Sequence, residues 1–107
     1  MDNNVATIAW AMVRINKSDA KEYKILAECY DAQTNRVNWR LSSNLTGVTV
    51  ENGKYMFNTK MGCVYICQKD AEDVTKLIED TLKNLEESFE VDVVPALAWI
   101  AVKCTAK

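Results

Sequence analysis

Two segments near opposite ends of the chain are apolar at odd and even positions alike: "IAWAMVRI" at residues 8–15 and "PALAWIAVKC" at residues 95–104. Both read as strands. A strand buried on one side only alternates apolar and polar residues with a period of two. In the second segment Ala96, Ala98, Ile100 and Val102 occupy one parity, while Leu97, Trp99 and Ala101 occupy the other. Strands of this kind need cover on both faces, and any fold assigned to the chain has to supply it.

Between these segments the period changes twice. In "KSDAKEYKILAECYDAQ", Tyr23, Leu26, Ala27 and Tyr30 fall at helical spacing, with Ser18 or Asp19 placed to cap a first helix. After Thr34 the period of two returns. "RVNWRLS" sets Val37, Trp39 and Leu41 opposite Arg36, Asn38 and Arg40. "VTVENGKYMF" predicts a hairpin turning at Asn52-Gly53, because a type I′ turn requires positive φ at both central residues. A further turn near residues 58–60 leads into the strand "MGCVYICQ". Residues 70–89 then form a second helix, with Val74, Leu77, Ile78, Thr81, Leu82, Leu85 and Phe89 in one stripe and Asp70 as its cap.

The expected order is therefore β-α-β(meander)-α-β within a single α+β domain spanning 1–107. Two helices pack on one face of a largely antiparallel sheet, in a ferredoxin-like variant. The first and last strands become central antiparallel neighbours, which brings Trp10 near Trp99. Two helices cover one face only. The other face is covered either by a second copy of the chain or by the meander curling into a partial barrel.

At 107 residues, 49% hydrophobic and 26% charged, the chain is long enough for one core and too apolar to be disordered. Its net charge of −2 exerts no general attraction on nucleic acid or anionic lipid. An acidic, polar start in place of a leader, and no apolar run of membrane-spanning length, lead to the expectation of a small soluble cytoplasmic protein without a membrane partner. In that compartment Cys29, Cys63, Cys67 and Cys104 are read as reduced thiols. Cys63 and Cys67 lie about 13 Å apart along an extended strand, too far to share a metal.

Little catalytic chemistry is available. The chain has no histidine, which removes Ser-His and Cys-His nucleophile pairs. Gly47, Gly53 and Gly62 are scattered and none opens a helix, so there is no phosphate loop. No catalytic residue, metal ligand or cofactor is assigned, and the chain is not expected to be an enzyme.

Charge is distributed unevenly. Residues 70–92 hold nine acids against two lysines, with Glu86, Glu87 and Glu90 crowding the end of the second helix. Residues 34–69 hold five basic residues and one acid, Arg36, Arg40 and Lys54 among them. These six residues are the candidate partner-binding groups. Trp10, Met12, Trp99 and Leu97 are the candidate interface of a homodimer. Single-stranded nucleic-acid binding through Arg36, Arg40 and Lys54 is a weaker alternative, because Trp39 points away from both arginines and cannot stack bases beside them. A small-ligand pocket lined by Trp10, Trp99 or Tyr65 is another. The expected function is a non-enzymatic, self-associating protein-interaction module, in the manner of a small inhibitor or adaptor with an unidentified protein partner.

Overall fold

The computed structural model describes residues 4–105, with side chains through Val102. The side chain of Cys104, considered above as a thiol, lies outside the described residues. Seven strands come first: β1 (Asn4–Ala6), β2 (Ala9–Asn16), β3 (Lys21–Asp31), β4 (Arg36–Leu41), β5 (Leu45–Glu51), β6 (Lys54–Thr59) and β7 (Val64–Gln68). A short 3₁₀ turn, Lys69–Ala71, leads on to α1 (Lys76–Glu86), β8 (Glu90–Val94) and α2 (Ala96–Thr105). The protein is a small α+β domain of two four-stranded sheets and two helices. The outer sheet has the order β1-β7-β6-β5 and the central sheet the order β4-β3-β2-β8. Every pairing is antiparallel except β1 with β7.

The double-faced apolar pattern of β2 follows from its position. Ala11 and Val13 face α1, where they pack with Leu26, Ile78 and Leu82. Trp10 and Met12 face the opposite way, into a core shared with Phe57 and Cys67 of the outer sheet and Trp99 and Ile100 of α2. The central sheet thus lies between a helix and a second sheet. The meander covers the face that would otherwise meet water, and it does so within one chain. A second copy is not needed for that purpose.

Two expected elements differ. The stretch expected as the first helix is the 11-residue strand β3. Its consecutive Ile25, Leu26 and Ala27 are all fully buried, because each face of β3 has its own cover. Double burial erases the alternation that normally identifies a strand, and the remaining apolar spacing imitates a helix. Ser18 and Asp19 lie in the tight β2–β3 turn, closed by Lys17 and Ala20, which bond each other's backbone.

"PALAWIAVKC" is the second difference: it folds as helix α2. Alanine is the strongest helix former, and proline is tolerated where a helix begins, since its missing N–H has no partner there anyway. The first free amide, Ala96 N–H, donates to Glu72 Oε2 at 2.8 Å. The ferredoxin-like order with two helices on one face is therefore replaced by a seven-strand run, then α1, β8 and α2. The antiparallel pairing of an early with a late strand does occur, with β8 in the late role: Met12 lies opposite Val94 and Ile15 opposite Val91.

Other elements follow the sequence closely. Asn52 and Gly53 have φ of 47° and 76° in the β5–β6 hairpin, the positive values that turn needs. Helix α1 is shorter than expected because Thr75, not Asp70, caps it. Thr75 Oγ1 accepts from Ile78 N–H and donates to the Glu28 carboxylate on β3, fastening the helix start to the sheet. No helix among the described residues is long and apolar enough to cross a membrane.

Candidate functional site

Of the four residues expected at a dimer interface, three are interior. Trp10 and Met12 are 0% exposed and Trp99 is 6% exposed, whereas Leu97, on the outer side of α2, is 66% exposed. Trp10 and Met12 cannot meet a partner without separating the two sheets. In the folded chain the outer sheet occupies that face. Tyr65 is buried in the same core.

Arg36, Arg40 and Lys54 do not form one cluster. The arginines lie on β4 and Lys54 begins β6 of the other sheet, opposite Gln68. Glu86, Glu87 and Glu90 are exposed where α1 ends and β8 begins. Among the described residues no three Cys, Asp or Glu side chains gather in a way that could hold a metal ion.

The most open feature is strand β4 itself. It pairs with β3 and forms one border of the central sheet. Ser42 N–H donates to the Ile25 carbonyl at 2.9 Å, which sets the register. Antiparallel strands alternate bonded and non-bonded residues. Arg40, Asn38 and Arg36 therefore bond inward to β3, and the backbone groups of Val37, Trp39 and Leu41 point outward from the border.

Side chains on β4 divide as cleanly. Trp39 lies opposite Glu28 and Val37 opposite Tyr30, all on the face that carries α1. Helix α1 covers the Leu26–Leu41 end of that face and leaves the far end open. There Tyr30 is 56% exposed, Trp39 49% and Val37 44%. Tyr30 is held in place by its hydroxyl, which donates to Asn35 Oδ1. Asn35 has a φ of 56°, a left-handed value that asparagine tolerates in the β3–β4 turn.

On the other face Arg40 approaches Tyr65 and Cys29. Burial pushes both the Tyr65 phenol and the Cys29 thiol above their ordinary pKa values, and the Arg40 charge opposes that shift in each. Arg40 thus has neighbours on its own sheet and on the outer one.

The other sheet borders are blunted. β1 has three residues, β5 carries a register shift between Leu45 and Gly47, and β8 runs directly into Pro95 and α2. Short strands, bulges and covering elements are the usual ways of closing an edge against foreign strands. Strand β4 has none of these. Its alternation was legible in "RVNWRLS", but nothing in the sequence showed that Trp39 and Val37 would extend beyond the reach of α1. Tyr30 carries no such signal in the sequence, because its spacing with Tyr23, Leu26 and Ala27 is that of a helix, whereas it lies on strand β3.

No family model, no curated protein and no solved structure matches this chain.

Proposed function

We infer that the chain is a non-enzymatic protein-interaction module that associates with itself through β4. The observation that carries this reading is the open border: outward backbone groups at Val37, Trp39 and Leu41, beside exposed Tyr30 and Trp39 side chains. An added strand satisfies such a border with main-chain hydrogen bonds, while the flanking side chains select the partner.

A second copy suits this border in one register. A two-fold axis at Trp39 pairs Trp39 with the partner's Trp39 and Val37 with the partner's Leu41. In the neighbouring even-numbered positions Arg40 then meets the partner's Asn38, and no arginine faces an arginine. Shifting the axis to Asn38 sets Arg36 against the partner's Arg40, a like-charge pair that destabilises a sheet. The favoured register also joins the two Tyr30–Val37–Trp39 patches into one strip between the two copies of α1, as an isologous interface requires. The result is a continuous eight-stranded central sheet. Charge reinforces this choice over nucleic acid, since Trp39 and the two arginines project from opposite faces of β4.

Sedimentation equilibrium of the wild type and of Val37→Pro tests the reading. The Val37 amide points outward, so proline there removes an intermolecular donor without removing a bond to β3. The wild type is expected at twice the 12.1 kDa chain mass and the folded variant at the chain mass. A wild type that sediments as a monomer at micromolar concentration, or a variant that dimerises as well as the wild type, contradicts it.

A further inference from the structure

On the face of the central sheet turned away from α1, cover ends between β3 and β4. Ala27 and Cys29 of β3 are buried there, in the core shared with the outer sheet. Their β4 partners Arg40 and Asn38 are exposed, as is Arg36 opposite Asp31. A cleft of about 540 Å³ opens beside Asn38 and Arg40, with Cys29 and Asp31 in its lining. Arg36 and Arg40 enter no ion pair among the described residues. Arg40 donates a hydrogen bond to the Tyr65 phenol, which leaves guanidinium donors over. Asp31 is the one acid on this face of β3 and β4, and its Oδ1 accepts the Gln33 N–H of the adjoining turn. Two arginines against one acid leave the strip positive.

Self-association along β4, the reading on which the rest of this inference depends, converts the strip into a row. With Trp39 on the two-fold axis, Arg36 lies three residues before the axis and Arg40 one residue after it. The partner's two arginines lie in the reverse order. Arginines then recur at every second position along the joined strands, about 6.8 Å apart and all on one face. The two copies of Arg40 become diagonal neighbours, about 7–8 Å from each other. Pairing thus concentrates positive charge that neither copy has alone.

We propose that this row binds an extended acidic peptide that has carboxylates at alternate residues and lies along β4 across both copies. One side of an extended peptide repeats at the same spacing of about 6.8 Å, so each carboxylate meets one guanidinium. Arginine clusters are a recurrent means of reading acidic segments. A single nucleic-acid strand fits less well, because the arginine face of β4 carries no ring on which bases could stack. Since the peptide engages two copies together, it also strengthens their association by linkage.

The test is fluorescence anisotropy of a labelled peptide in which glutamate and threonine strictly alternate, with sedimentation of the same samples. Saturable binding that weakens as salt rises is expected. A peptide of equal composition with its glutamates in adjacent pairs meets only every other arginine, and should bind about tenfold more weakly. Arg36→Gln removes two of the four charges and should cost a similar factor in a protein that still sediments as a dimer, with Arg36→Lys keeping most of the affinity. Arg36 is exposed, so these variants keep the fold. The alternating peptide should also shift dilute wild type toward the dimer. Equal affinity of a dimeric wild type for the two peptides, or indifference to Arg36→Gln, overturns the proposal and leaves the β4 pairing standing. Tighter binding of a thymidine oligonucleotide than of the alternating peptide overturns it too. A wild type that stays monomeric with saturating peptide overturns both readings.

Discussion

Trp10 donates its indole N–H to the Gln68 carbonyl at 2.7 Å, joining the centre of one sheet to the last residue of a strand in the other. Its ring also meets Tyr55 edge-on at 5.9 Å and Phe57 at 5.5 Å. One side chain thus fills the gap between the layers and spends its only polar group across it. Trp10→Phe keeps an aromatic ring but orphans that carbonyl and leaves a void. The expected loss is about 2–4 kcal/mol, from the hydrogen bond and the missing volume combined. Trp39→Phe, on the exposed face, should change monomer stability by less than about 0.5 kcal/mol. Urea midpoints of both variants, each made in the Val37→Pro background to keep association out of the comparison, measure the contrast. Equal losses would contradict the placement of the two tryptophans.

Acid should act through the end of the sheet. Hydrogen bonds from Arg14 and from Asn16, which reaches the same oxygen at 2.9 Å, hold the Asp92 carboxyl below its ordinary pKa. Because the folded pKa is the lower one, the stabilisation is complete above the unfolded value of about 3.9. It is lost as pH falls through the folded value. Glu22, depressed by Lys17 and Asn44, changes in the same sense. Unfolding curves collected from neutral pH down to about pH 2 should therefore show a steeper acid loss in the wild type than in Asp92→Asn. Parallel pH dependence in the two proteins would show that Asp92 is not paired in solution.

The thiols should differ in reactivity. Burial pushes the Cys67 thiol up to about 12 and raises that of Cys29, whereas Cys63 is only half-buried. The thiolate is the reactive form. Brief alkylation of the native protein at about pH 8, followed by peptide mass mapping, should label Cys63 well ahead of Cys29 and Cys67. Above about pH 9 the unfolded chain ionises thiols that the fold keeps neutral, so stability should fall as pH rises toward the folded value. Rapid labelling of Cys67 in the folded protein would contradict its position between the sheets.

What the sequence disclosed depended on how many sides of each element are covered. The β5–β6 hairpin was legible because Asn52-Gly53 has a local requirement for positive φ that no distant contact alters. Helix α1 was legible because one face meets the sheet and the other meets water, leaving a clean stripe from Leu77 to Leu85. Strand β3 was not, since cover on both faces makes Ile25, Leu26 and Ala27 uniformly apolar. Helix α2 is hidden in the sequence for a related reason: Ala96 and Ile100 face the core, while exposed Leu97 and Val102 keep the other side apolar too, so no stripe marks its period. Its alanines after Pro95 were the available signal. The β4 border was half legible. Parity separated Trp39 from Arg40, but the reach of α1 over that face is a tertiary property.

The proposed self-association joins two copies along β4 with Trp39 on the two-fold axis. Isotope-filtered NOE spectra on an equal mixture of ¹³C,¹⁵N-labelled and unlabelled protein address it directly. In that register Asn38 and the partner's Arg40 form a non-hydrogen-bonded pair, whose Cα atoms approach to about 4.5 Å. Strong Hα–Hα contacts between Asn38 and Arg40 of different copies are therefore predicted, along with contacts between the two Trp39 rings, all absent from Val37→Pro. Intermolecular contacts confined to other surfaces, such as Leu97 and Val102 of α2, or none at any concentration reached, would contradict it.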